Sequence, residues 1–159
     1  SRPHLGMAVS SDLGDPADVH YKEKKPVGER LARLALSGEY GFDLVPSGPL
    51  FKSAAAPVPE LVEGHQPVEG HQPVIVTFEY GEGLKPSEGT EVVGFELAGD
   101  DRIFHKATCR LEGDRAVLSA PEVEDPVYVR YAWEPYTRAN LVNSAGLPAS
   151  TFLGNVASL

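Results

Sequence analysis

The tightest constraint on how this chain can fold is a period of two in its second half. Val74, Val76, Phe78 and Tyr80 fall on one side of an extended stretch. Val127, Val129, Tyr131 and Trp133 fall on one side of another, with Arg130 opposite. Such alternation belongs to half-buried strands, whose successive side chains point to opposite faces. Between the two lie a run from Val92 to Leu97, a turn at Gly99-Asp100-Asp101 leading into Ile103 through Leu111, and a hairpin signal at Gly113-Asp114 leading into Ala116 through Ser119. Short strands with turns roughly every ten residues predict a small antiparallel β-sandwich over 74–159. Turn chemistry follows at Asn143-Ser-Ala-Gly146 and Leu147-Pro148.

The first 41 residues have another grammar. Leu5 to Val9 is a short apolar run expected to be a buried strand. Ser10 to His20 is rich in Ser, Asp, Gly and Pro and is expected to be a loop. A helix is expected from about Lys24 to Ser37. Pro26 suits its first turn, where a missing N–H costs nothing. Val27, Leu31 and Leu34 share one face, while Glu29, Arg30 and Arg33 lie elsewhere on the surface. Strand, loop and helix in that order normally belong to a parallel sheet. Only one such strand is present, so residues 1–41 predict a piece of an α/β domain. Residues 42–73 read as an irregular linker, broken by Ser47-Gly48-Pro49 and Pro57 to Pro59. That linker carries an exact duplication, Glu63-Gly-His-Gln-Pro-Val68 followed by Glu69-Gly-His-Gln-Pro-Val74. Two hexamers are too few for a solenoid.

Composition narrows the function classes. The 159 residues carry 14 Lys+Arg against 23 Asp+Glu, a formal charge of −9. Residues 1–41 balance six bases with six acids, so the whole excess lies downstream. An acidic chain without clustered Lys and Arg argues against nucleic acid as a partner. No apolar run approaches the roughly 18 residues of a membrane helix, so no membrane partner is expected. No signal-peptide pattern stands at the N-terminus. The 16 Gly and 14 Pro point to many turns.

Few residues suggest chemistry. Asp12, Asp15, Asp18 and His20 are the one compact group of catalytic types. A histidine titrates near neutral pH, and a carboxylate beside it fixes its tautomer and stabilises the imidazolium, which makes a general base. Such groups commonly sit on loops after sheet strands. A polar loop of this composition is more often simply solvated. His65 and His71 have no ligand cluster around them, and no metal or cofactor is called for. Cys109, the single cysteine, has no partner for a disulfide or a zinc pattern and is expected to be a buried small side chain.

The stretch Gly6-Met-Ala-Val-Ser-Ser-Asp-Leu-Gly-Asp-Pro-Ala-Asp-Val-His20, followed by Lys24-Lys-Pro-Val-Gly-Glu-Arg-Leu-Ala-Arg33, resembles the end of the catalytic domain of sialate O-acetylesterases, carboxylesterases of the SGNH hydrolase superfamily. Val45-Pro-Ser-Gly-Pro-Leu-Phe51, Gly94-Phe-Glu-Leu-Ala-Gly99, Val129-Arg-Tyr-Ala-Trp133, Asn140-Leu-Val-Asn143 and Gly146-Leu-Pro-Ala-Ser150 resemble the same family's C-terminal β region. The resemblance spans nearly the whole chain outside about 57–73. It implies a mixed architecture: a C-terminal strand–loop–helix piece of an α/β SGNH hydrolase domain over 1–41, a linker over 42–73, and an accessory β-sandwich over 74–159.

The chemistry so implied is removal of an acetyl group from sialic acid or a related acetylated glycan. A Ser attacks the ester, a His takes its proton and an Asp orients the His. His20 matches the family's histidine. Asp15, in Gly-Asp-Pro, matches the regular position of the acid, and Asp18 lies nearer to His20 in sequence. Tyr21 stands where the family usually has Pro, which removes a rigid turn. The nucleophilic Ser belongs to an N-terminal block upstream of the His, and neither Ser10 nor Ser11 sits in such a motif. The chain is therefore expected to partner the N-terminal remainder of an esterase and to be inactive alone. An extracellular, periplasmic or lysosomal setting is implied by the same analogy. The reading of another class is a stand-alone carbohydrate-binding or interaction β-module, with Tyr128, Tyr131, Trp133 and Tyr136 as stacking surfaces and Arg138 and Asn140 near the ligand. In that strand, core packing accounts more simply for Tyr131 and Trp133.

Overall fold

The computed structural model describes residues 5–56 and 72–158. The duplicated hexamer, with His65 and His71, lies outside the described residues apart from its last three positions. Among the described residues, ten strands follow a single α-helix: α1 (Lys25–Gly38), β1 (Leu50–Ala56), β2 (Val74–Glu79), β3 (Lys85–Pro86), β4 (Phe95–Ala98), β5 (His105–Lys106), β6 (Thr108–Glu112), β7 (Arg115–Ser119), β8 (Tyr128–Tyr131), β9 (Leu141–Val142) and β10 (Phe152–Ser158).

Eight of the strands form one sheet in the order β5-β4-β8-β10-β1-β2-β7-β6, and β3 pairs with β9 in a small ribbon. Every pair in the large sheet is antiparallel except β1 with β10. The two edge strands, β5 and β6, are separated in sequence by Ala107 alone. The chain pairs with β4 through His105 and Lys106, and with β7 from Thr108 onward. Ala107 makes the last link to the first edge, donating its N–H to the Phe95 carbonyl at 3.0 Å. A sheet whose edges are one continuous stretch of chain must curl round on itself, so the sheet is a nearly closed barrel.

This overturns the expected architecture. Among the described residues there is no α/β hydrolase piece followed by a separate antiparallel sandwich; one mixed barrel carries one α-helix. Two strands make the difference. β1 lies in the stretch read as irregular and runs parallel to β10, which itself fills a tail read only as turns. Together they join β8 on one side to β2 on the other, which fuses what would be two sheets into one. The segment Leu5–Val9 is not a strand; among the described residues no neighbouring strand pairs with it, and Leu5 and Met7 are largely exposed.

The interior is filled by the alternation already evident in the sequence. Val74, Val76 and Phe78 face inward from β2, as do Phe95 and Leu97 from β4 and Val129 and Tyr131 from β8. Phe152 of β10 ties the aromatic residues together, stacking on Phe51 with centroids 4.5 Å apart and meeting Phe78, Phe95 and Tyr131 at 6.0–6.3 Å. Gly154 lets β10 run beneath the Phe51 ring, where a Cβ would come within 2.3 Å of Cζ. Two buried asparagines organise the irregular parts. Asn143 accepts from Leu147 N–H and donates to the Ser47 and Tyr80 carbonyls. Asn140 accepts from Val93 N–H at 3.0 Å and donates to the Glu88 and Glu91 carbonyls at 3.1 and 2.9 Å.

Candidate functional site

The loop with the Asp and His residues is held by the helix behind it. Arg30 of α1 donates from both guanidinium termini to the Asp12 carboxylate, each at 2.6 Å, and a further bond reaches the Val9 carbonyl at 2.7 Å. This two-pronged geometry suits a planar guanidinium and fixes orientation as well as distance. Arg33 donates to the Val45 carbonyl at 3.1 Å. Both arginines therefore face the rest of the chain, where the helical pattern placed them on the outer surface. Leu31, expected on the apolar face, is half exposed.

Within the loop, Ser11–Leu13 forms one 3₁₀ turn. Asp15 Oδ1 accepts from Ala17 N–H and Asp18 Oδ1 accepts from His20 N–H, both at 2.8 Å. Each carboxylate thus closes a local turn of the type that Asp favours. Asp15, Asp18 and His20 are all exposed. Asp18 meets His20 at its backbone; among the described residues no hydrogen bond joins either carboxylate to the imidazole. Asp12, the fourth member of the group, is committed to Arg30. Tyr21 lies under the ammonium of Lys24, 3.8 Å from the ring centroid, which holds the loop's exit.

This loop borders a groove of about 750 Å³. Pro16 contributes from the loop, and a Cβ on Gly14 would sit 3.5 Å from the Tyr136 ring. The other walls are the segment 91–96, the barrel seam at Lys106–Cys109, and the segment 132–139 after β8. Asn140 secures the first of these through the Val93 and Glu91 bonds. Cys109 lies at the seam, half-buried, with its thiol pushed up to about 12 by burial, and is a packing residue as expected.

The sequence pattern misplaced one residue here. Tyr131 and Trp133 alternate as core residues would, and Tyr131 is buried, its OH accepting from Leu141 N–H at 2.8 Å. Trp133 is 47% exposed and lines the groove. The intervening Ala132 has φ 54°, a left-handed backbone that ends the strand and turns the next side chain outward. Tyr136 is also exposed, whereas Tyr128 lies outside the groove and stacks with Arg102. Among the described residues no group of three or more His, Cys, Asp or Glu is placed to hold a metal.

Comparison with known proteins adds to this. Neither a protein-family model nor a curated protein matches the sequence. Over 92% of its length, however, the chain matches part of the crystal structure of a carbohydrate acetylesterase from Xanthomonas citri, with a TM-score of 0.78 and 38% sequence identity. The chain is related to a carbohydrate acetylesterase. It spans 31% of the length of that acetylesterase chain.

Proposed function

We propose that this chain is part of an esterase that removes O-acetyl groups from a carbohydrate, sialic acid or a related acetylated sugar, by Ser-His-Asp chemistry. His20 takes the proton from the attacking serine and returns it to the leaving sugar hydroxyl. Asp15 orients the imidazole, with Asp18 as the second choice for that role. The serine and the oxyanion donors come from a segment outside these 159 residues, and 1–41 supplies the base to that catalytic domain.

The observation that carries this reading is the 38% identity to a carbohydrate acetylesterase over 92% of the chain. The placing of the His20 loop supports it. Arg30 anchors one end of the loop, while the far side borders a groove wide enough for a sugar. Both carboxylates are exposed and, among the described residues, tied only to their own turns, so an opposing catalytic segment can draw either one onto the imidazole; apo triads are often loose in this way.

The test joins this chain to a serine-bearing catalytic segment of the acetylesterase type and measures acetate release from O-acetylated sugars. Release that His20→Ala abolishes, and that Asp15→Asn reduces far more than Asp18→Asn, supports the reading. Undiminished release in His20→Ala refutes it.

A further inference from the structure

The groove has features that the triad does not need. Trp133 and Tyr136, 47% and 41% exposed, face solvent beside a loop that approaches within van der Waals reach of the Tyr136 ring. Trp133 is held outward by a left-handed alanine, a backbone state that a non-glycine residue adopts at a cost and that clusters at ligand sites. The Trp133 ring stands half exposed on the groove wall, outside the buried core. The opposite wall is rigid: the 88–93 segment is held by three hydrogen bonds from one buried asparagine, Asn140.

The groove's charges are balanced. Lys106 and Arg138 stand against Glu91, Glu96 and Glu134. Glu96 is already held by Arg130 through bonds of 2.7 and 3.1 Å. Two cations and two carboxylates remain, and none of the four makes an ion pair among the described residues. Such a rim offers donors and acceptors in equal number, which suits ring hydroxyls. It gives no net attraction to an anion in a chain of charge −9.

We propose that this groove is a subsite for a neutral glycan, with Trp133 as the platform on which the apolar C–H face of a pyranose ring packs, and that it delivers the acetylated sugar to the His20 loop. A concave site of about 750 Å³ with aromatic walls and a few polar groups is of the size and chemistry that small ligands occupy. The substrate class rests on the esterase reading, and the neutrality of the sugar rests on the groove alone.

Trp133 is the only tryptophan in the chain, so its emission reports on this groove directly. The emission is titrated with an acetylated neutral pyranose oligosaccharide, with the deacetylated oligosaccharide, and with O-acetylated sialic acid. The expected result is a saturable shift with the acetylated neutral oligosaccharide, and binding of the sialic acid weaker by about tenfold or more. Calorimetry on Trp133→Ala is expected to show affinity for the neutral oligosaccharide reduced about tenfold, the effect of losing a binding hot spot, with the melting temperature unchanged. No saturable shift with either neutral sugar, tighter binding of the sialic acid, or unchanged affinity in Trp133→Ala overturns the proposal. The esterase reading fails separately. Glycan binding here without His20-dependent acetate release keeps the subsite and removes the esterase. Acetate release whose KM is unmoved by Trp133→Ala keeps the esterase and removes the subsite.

Discussion

Tyr131 and Trp133 stand two residues apart at the end of β8, yet one is 1% exposed and the other 47%. The left-handed Ala132 between them reverses which face the next side chain takes. The same pair predicts opposite responses to mutation. Tyr131→Phe keeps the ring among Phe95 and Phe152 but strands the buried Leu141 N–H, at a cost of about 1–3 kcal/mol. Tyr131→Ala adds a cavity and should cost about 3–5 kcal/mol. Trp133→Ala should change stability by no more than about 0.5 kcal/mol, as exposed positions do. Urea titrations of the three variants measure the ranking, and a Trp133→Ala loss matching that of Tyr131→Ala would contradict it.

The Arg30–Asp12 pair governs the His20 loop more than the fold. Its side chains are 14% and 28% exposed, so it is shielded from salt, unlike Lys25–Glu29 at 85% and 61%. Arg30→Ala also removes the bond to the Val9 carbonyl. Amides of residues 10–20 should then exchange with solvent at least about tenfold faster, the effect of losing about 1.4 kcal/mol of charge-assisted bonding. Amides of β2 and β8 should keep their wild-type rates. Glu29→Ala, on the same helix, should leave the loop unchanged, since exposed pairs of this kind contribute little.

Cys109 sets an alkaline limit. Burial raises its thiol from 9.0 to about 12. Burial raises the Tyr131 hydroxyl as well, only partly offset by its bond to the Leu141 backbone. Both groups stay protonated in the folded chain at pH values where the unfolded chain releases those protons. The folded state then binds more protons, so stability is fully present below pH 9.0 and is lost as pH rises toward 12. Denaturation midpoints should hold from pH 7 to 9 and fall from 9 to 11, and Cys109→Ala should flatten part of that fall. Iodoacetamide at pH 8 should leave the folded thiol intact and label it once urea unfolds the chain.

What could be read from the sequence follows from where the physics is local. Val74–Glu79 and Tyr128–Tyr131 were legible because alternation is written in consecutive residues. β1 was not, because Lys52, Ser53 and three alanines lack the β-branched and aromatic residues that mark strands. β10 was hidden by Gly154, which is there because Phe51 lies over it from another strand. The barrel's closure depends on one residue, Ala107, that carries no signal of its own. At the site, the Asp/His loop stood out by residue type. The groove beside it did not, because Trp133 continues the apolar alternation exactly where the backbone breaks it.

The helix α1 should be the least stable regular element. It buries no residue, its N-cap Lys24 makes no side-chain bond to the first turn, and it is fastened by Arg30, Arg33 and the contact of Leu34 with Gly6. A helix of 14 residues has little stability in water without a buried face. β1, β2 and β10 lie in the middle of the barrel with neighbours on both sides. Native-state hydrogen exchange should therefore show α1 opening at a lower free energy than these strands, as a separate unit. Gly28, with open space around its missing Cβ, tests the cause. Gly28→Ala should slow exchange along α1 by stabilising the helix about 1 kcal/mol and leave the barrel strands as they were. If α1 and β2 instead open together, and Gly28→Ala raises the protection of both equally, the helix is an integral part of the barrel's cooperative unit.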